Sequence, residues 1–71
     1  MIIKTQDKKF AAQVLAGKTG YDEVEYRGRI FRRSMAIYEA GRNGDISECA
    51  AEAYISDVLT GLITYTTIRI G

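Results

Sequence analysis

This 71-residue chain contains seven glycines and no proline, and the spacing of the glycines leaves room only for short elements between them. Glycine commonly ends helices and occupies tight turns, so each interval is interpreted as one helix or one strand. The length allows a single domain over residues 1–71. A hydrophobic content of 46% is typical of a globular chain. The sequence therefore predicts one small domain with a small core.

The first interval predicts a strand at residues 2–5 and a helix over residues 8–16. The apolar residues that share one helical face are Phe10, Ala11, Val14 and Leu15. Thr5 or Asp7 is placed to cap the helix and Gly17 to end it. An alternative makes residues 8–16 a strand paired with residues 2–5.

Residues 12–19 also resemble a phosphate-binding loop, because Gly17 is followed by Lys18 and Thr19. Such a loop enters a helix at its glycines, whereas here the predicted helix precedes Gly17. We therefore interpret Gly17 as a helix end followed by a turn.

Residues 22–40 are typical of a hairpin with Arg27-Gly28 as a two-residue turn. The register that follows pairs Val24 with Phe31, Glu23 with Arg32 and Asp22 with Arg33. One apolar pair and two pairs of opposite charge favour this register. The second strand is expected to continue through Met35, Ile37 and Tyr38. In the alternative, residues 34–40 form a short helix that ends at Gly41.

After a loop at residues 41–44, a helix is predicted over residues 45–60, with Asp45 as N-cap and Glu48 completing a capping box. The predicted buried face consists of Ala51, Tyr54, Ile55, Val58 and Leu62. The predicted solvent face consists of Glu48, Glu52 and Ser56. Gly61 ends the helix, and the β-branched and aromatic run at residues 63–70 predicts a final strand.

These elements sum to the order β-α-β-β-α-β. The fold class predicted is α+β, with an antiparallel sheet and helices on one face, in the ferredoxin-like arrangement. If the first helix is instead a strand, the fold becomes a β-meander closed by one helix and a last strand.

The composition excludes several classes of function. Ten basic and nine acidic residues give a net charge of +1, unlike a protein that binds bulk nucleic acid. The absence of histidine and the single cysteine exclude a Cys/His metal site and an internal disulfide, and no cofactor is expected. No signal peptide or membrane span is predicted, so the expected location is cytoplasmic.

A cluster of four arginines is the candidate binding surface. The predicted binding residues are Tyr26, Arg27, Arg29, Arg32, Arg33, Tyr38 and Tyr65, with Tyr38 and Tyr65 on the sheet. Arginine interleaved with aromatic residues stacks on bases and clamps phosphates. Arg27, Gly28 and Phe31 match the Arg-Gly-aromatic-Gly-Phe-Val box of the RNA-recognition family, and Arg29, Ile30 and Arg32 depart from it. Alternatively, the hairpin is an ordinary solvent face neutralised by its own carboxylates.

The last helix has an acidic character, since residues 45–60 hold four carboxylates and no basic residue. Cys49 lies near its start, where a thiol becomes more reactive, but no histidine is present to act as its base. We interpret Cys49 as a small half-buried residue.

The function predicted is that of a non-enzymatic protein-binding module, an adaptor or inhibitor that acts through the arginine hairpin and the acidic helix. A domain this small without a catalytic set is the size class of inhibitors and adaptors carried by phages and other mobile elements. Self-association is a further form of protein binding. The alternative is a nucleic-acid-binding domain that uses the arginine hairpin and the sheet tyrosines.

Overall fold

Six short elements make up the computed structural model, which describes residues 2–61. They are β1 (Ile2–Thr5), α1 (Lys8–Leu15), β2 (Glu23–Tyr26), β3 (Arg29–Arg32), α2 (Arg33–Ala40) and α3 (Glu48–Thr60). The fold is α+β, as expected, with a three-stranded sheet and three helices in this range. The described order is β-α-β-β-α-α, so the ferredoxin-like order is not confirmed. The strand predicted at residues 63–70 lies outside the described residues.

The sheet is mixed, not antiparallel as predicted. Its strand order is β1-β2-β3, with β1 parallel to β2 and β2 antiparallel to β3. The reason is that α1 carries the chain back across the sheet, so β1 and β2 run in the same direction. The hairpin register is confirmed, since Val24 pairs with Phe31 and Glu23 with Arg32.

Helix α1 begins and ends where its capping residues predict. The Asp7 side chain accepts a hydrogen bond from the Lys9 amide at 3.0 Å, and the Thr5 hydroxyl accepts one from the Asp7 amide. Gly17 follows the helix with a φ of +80°. The helical interpretation of residues 8–16 is therefore confirmed, and so is that of Gly17 as a helix end.

The second hairpin strand stops at Arg32, and residues 33–40 form α2. The continuation of the strand through Met35, Ile37 and Tyr38 is wrong, and the alternative of a short helix is confirmed. Ala36 is buried whereas Tyr38 is exposed, although the two would share a strand face. Good helix formers such as Met35 and Ala36 make the helical conformation available.

Helix α3 starts at Glu48 with Ser47 as N-cap, later than the predicted Asp45. Asp45 closes the two-residue turn at Asn43 and Gly44, because its amide and carbonyl both form hydrogen bonds with the backbone of Arg42. The Ser47 side chain instead accepts from the Ala50 amide at 3.1 Å. As predicted, α3 ends at Gly61, which has a φ of +87°.

The core lies between one face of the sheet and the buried faces of α1 and α3. The α3 residues predicted to be buried are so as far as Val58, and Leu62 lies outside the described residues. The rings of Phe31 and Tyr54 meet edge to face with centroids 6.2 Å apart. On the sheet, Val24, Tyr26 and Phe31 face this core, which places the helices on one side.

The predicted solvent face of α3 is only half-exposed, because α1 lies alongside it. The Gln13 side-chain amide and the Lys18 Nζ each donate a hydrogen bond to the Glu48 carboxylate, and the Lys8 Nζ donates one to the Ser56 hydroxyl. Cys49 and Ala53 are exposed instead. The solvent face is therefore rotated away from the one predicted.

Candidate binding surface

The turn that joins β2 to β3 has a left-handed backbone at both central residues. Arg27 has a φ of +55° and Gly28 a φ of +78°, as a type I′ turn requires. The chain builds a second turn of this kind at Asn43 and Gly44, with φ values of +54° and +76°. Asn-Gly is the preferred pair for this geometry, whereas arginine in it is uncommon.

Two of the four hairpin arginines form ion pairs with carboxylates of the same molecule. The Arg32 Nε donates to Glu23 Oε2 at 2.8 Å across the sheet. A terminal guanidinium nitrogen of Arg33 lies 3.6 Å from Asp45 Oδ1, and its Nε is buried without a hydrogen-bond partner in the described range. These two side chains therefore contribute to the cohesion of the domain.

The other two hairpin arginines, Arg27 and Arg29, have no acidic partner among residues 2–61. Arg27 is exposed at the turn, and Arg29 is half-buried. Tyr26, which precedes them, is only 6% exposed and belongs to the core. The arginine cluster is thus divided into a paired half on the α2 side and an unpaired half at the turn.

Tyr38, one of the predicted binding residues, is the most exposed large hydrophobic side chain among the described residues. It is 81% exposed and lies on α2, not on the sheet as predicted. We define the α2 face as Ser34, Met35, Tyr38 and Glu39, which share the solvent side of this helix and are exposed or half-buried. Tyr65, the other tyrosine predicted on the sheet, lies outside the described residues.

A surface pocket of about 430 Å³ opens at the carboxyl ends of β1 and β2. Its lining residues are Lys4, Thr5, Gln6, Glu25 and Arg27. The Lys4 Nζ lies 3.8 Å from Glu25 Oε2. The parallel pairing brings both carboxyl ends to the same edge, where the turn adds Arg27.

The acidic helix is less negative at its surface than the sequence indicates. Asp45 precedes the helix and pairs with Arg33, and Glu48 pairs with the Lys18 Nζ at 3.1 Å. Glu52 and Asp57 are half-buried. Half of the predicted acidic surface is therefore neutralised by basic side chains from other elements.

The described part of the chain contains neither a clustered set of metal-ligating side chains nor a membrane-spanning helix. No group of three or more His, Cys, Asp or Glu side chains is placed to hold a metal ion there. No helix in that part is long and apolar enough to cross a bilayer. Cys49 is a free, exposed thiol, more accessible than the half-buried position predicted.

The α2 face and the pocket were not predicted from the sequence. The sequence pattern predicts Tyr38 on a strand, and the pocket depends on a parallel pairing that an antiparallel sheet does not make. The burial of Tyr26, by contrast, could have been predicted from the sequence. This residue lies two residues from Val24, so both side chains point to the same side of the sheet, and the Val24–Phe31 pair marks that side as the core.

Comparisons with known proteins identify no relative. No family model, no curated protein and no solved structure matches the chain. Its function is therefore inferred from its own residues and their geometry.

Proposed function

We propose that this chain is a non-enzymatic protein-binding module whose main contact is the α2 face. The observation that carries the proposal is the 81% exposure of Tyr38. Tyrosine is enriched at protein interfaces because it offers a large, stiff side chain with an apolar ring and a polar tip. Met35, one helical turn earlier, extends the apolar area with a flexible side chain.

The fold does not use Tyr38 for its own stability. Helix α2 contributes Ala36 to the core, with Ile37 packed against it, on the side opposite the α2 face. A tyrosine this exposed adds little to the free energy of unfolding, whereas its burial against a partner removes apolar area from water. The residue is therefore better explained by a contact outside the domain than by packing within it.

The charges beside Tyr38 favour a partner with a basic rim. Glu39 is exposed and has no ion pair among residues 2–61. It lies in the last turn of α2, which has no basic residue to offset the negative end of the helix dipole. A partner arginine is able to stack on the Tyr38 ring and pair with Glu39 together. An adaptor or inhibitor role fits a surface of this kind.

Site-specific photo-crosslinking in the native host tests the proposal. A benzophenone amino acid replaces Tyr38 in one sample and Lys9, an exposed residue of α1, in a matched control. We expect one discrete protein adduct from position 38 that nuclease treatment does not remove and that is absent from position 9. If the crosslinked protein is a second copy of this chain, the contact is self-association. Equal, diffuse labelling at both positions contradicts the proposal.

A nucleic-acid-binding role is the second candidate, because Arg27 and Arg29 have no acidic partner in the described part of the chain. Two arginines are a small set, since Arg32 and Arg33 are held by Glu23 and Asp45. Phosphate contacts provide most of non-specific affinity, with a salt slope of about 0.7 to 0.9 per neutralised phosphate. Two contacts therefore support only weak binding.

Fluorescence anisotropy with single-stranded and duplex oligonucleotides distinguishes the two functions. We expect a Kd no tighter than about 10 μM at roughly 150 mM salt, because the hairpin carboxylates repel phosphate. The matched variant is Arg27→Gln with Arg29→Gln, which should abolish whatever binding remains. Sub-micromolar binding by the parent chain would make nucleic acid the first candidate.

A further inference from the structure

We propose that the pocket at the carboxyl ends of β1 and β2 binds a carboxylate group and that Arg27 is the main residue that contacts this group. The pocket contains two basic side chains, one acidic side chain and two neutral polar ones in about 430 Å³. This volume falls in the range of ligand-binding sites. The inference concerns a different surface from the α2 face and does not rest on the proposed protein-binding function.

The balance of charge in the pocket selects the type of anion. Lys4 and Glu25 lie 3.8 Å apart and offset each other, which leaves the Arg27 guanidinium as the net charge. A carboxylate carries one negative charge and matches this site. A phosphate group carries about 1.5 to 2 negative charges near neutral pH, which is more than Arg27 alone neutralises. The Glu25 carboxylate would repel the remaining negative charge.

The shape of the arginine side chain supports the same ligand. A guanidinium presents two parallel N–H donors that match the two oxygens of a carboxylate. Gln6 adds a carboxamide that also lines the pocket and has no hydrogen-bond partner in the described part of the chain. Arg27 and Gln6 therefore both bring N–H donors to the lining of the pocket.

The backbone at Arg27 indicates that arginine is not there for the turn. This chain uses Asn43 before Gly44 in its other left-handed turn, where φ is within a degree of that at Arg27. Asparagine adopts such a φ more readily than arginine does. Arginine at position 27 is therefore the less favourable choice for folding, and a role for its guanidinium in the pocket explains its presence.

Titrations of the ¹⁵N-labelled full chain, followed by NMR, test the site. The probes are acetate, an N-acetylated trialanine with a free carboxyl end, the same peptide with an amidated end, and inorganic phosphate. We expect saturable shifts of the Gln6, Arg27 and Gly28 amides with both carboxylates and none with the amidated peptide. Tighter binding of the peptide than of acetate identifies a chain terminus as the source, and equal binding identifies a free carboxylate. Phosphate that binds more tightly than either carboxylate overturns the inference.

Substitutions separate binding from folding. Arg27→Asn recreates the Asn-Gly turn, so we expect an equal or higher Tm together with at least a tenfold loss of carboxylate affinity. Arg27→Lys keeps the charge without the paired donors and should lose affinity partially. Arg42→Gln removes another exposed arginine and should leave binding unchanged. Carboxylate binding by Arg27→Asn within twofold of the parent chain would refute the assignment.

Discussion

The room left by neighbouring atoms restricts the residue type at some positions of this chain as much as the backbone conformation does, and Gly41 is the clearest case. Its φ of −92° is open to any residue. A Cβ at this position, however, would lie 2.5 Å from the Asp45 carbonyl oxygen and 2.8 Å from the Ile37 Cα. Both neighbours are backbone atoms, which do not move aside as the end of a flexible side chain does. Glycine is needed here for the close approach of α2 to the following turn.

Gly41→Ala should therefore lower the free energy of unfolding by about 2–4 kcal/mol, because the backbone of α2 or of the turn must shift. The matched control is Gly20→Ala, where φ is +86° and no atom lies within 4 Å of the new Cβ. The free energy of unfolding of that variant should fall by about 1–2 kcal/mol, which is the cost of an alanine in the left-handed backbone conformation. Urea unfolding of both variants measures the difference, and a smaller loss for Gly41→Ala than for Gly20→Ala would contradict the steric explanation.

Elements with strong local signals were predicted well, and elements decided by contacts were not. The Asp7 cap and Gly17 define α1 from its own residues, and the charges of Glu23 and Arg32 define the hairpin register. Residues 33–40 suit both a strand and a helix, and the burial of Ala36 against its neighbours decides between them. The parallel pairing of β1 depends on the path of α1 across the sheet, which local signals do not specify.

Ser47→Ala tests the start of α3, which contributes Tyr54, the largest fully buried side chain of the described residues. It removes the hydrogen bond from the Ala50 amide and should lower the free energy of unfolding by about 1 kcal/mol. Ser47→Asp retains a capping oxygen and should remain within roughly 0.5 kcal/mol of the parent chain. Thermal and urea unfolding provide the measurement. An unchanged stability of Ser47→Ala would mean that another residue caps α3.

Over the whole molecule, ion pairs join elements and reduce the charge asymmetry expected from the sequence. The described pairs are Lys4 with Glu25, Lys18 with Glu48, Arg32 with Glu23, and Arg33 with Asp45. All four include a well-exposed side chain, so each stabilises the fold by only about 0–1 kcal/mol. Their larger effect is on recognition, because they neutralise half of the arginine cluster and half of the acidic helix.

The candidate site was thus predicted in composition but not in arrangement. Arg27, Arg29 and Tyr38 stay predicted binding residues, and the structure leaves them exposed or half-buried, with no ion pair for either arginine among residues 2–61. The pairing of Arg33 with Asp45 depends on how the turn after α2 packs against the rest of the domain, which spacing along the chain does not reveal. Among the described residues, the α2 face and the pocket that Arg27 lines both remain accessible.

The most direct test of the protein-binding proposal is the affinity of the crosslinked partner, once purified, for the parent chain, Tyr38→Ala and Lys9→Ala. Calorimetry should show that Tyr38→Ala raises the Kd at least about tenfold, or about 1.4 kcal/mol, because a central interface tyrosine is lost. Lys9→Ala should bind as the parent chain does, and all three proteins should have similar Tm values. A Tyr38→Ala variant that binds within twofold of the parent would show that the α2 face is not the contact surface.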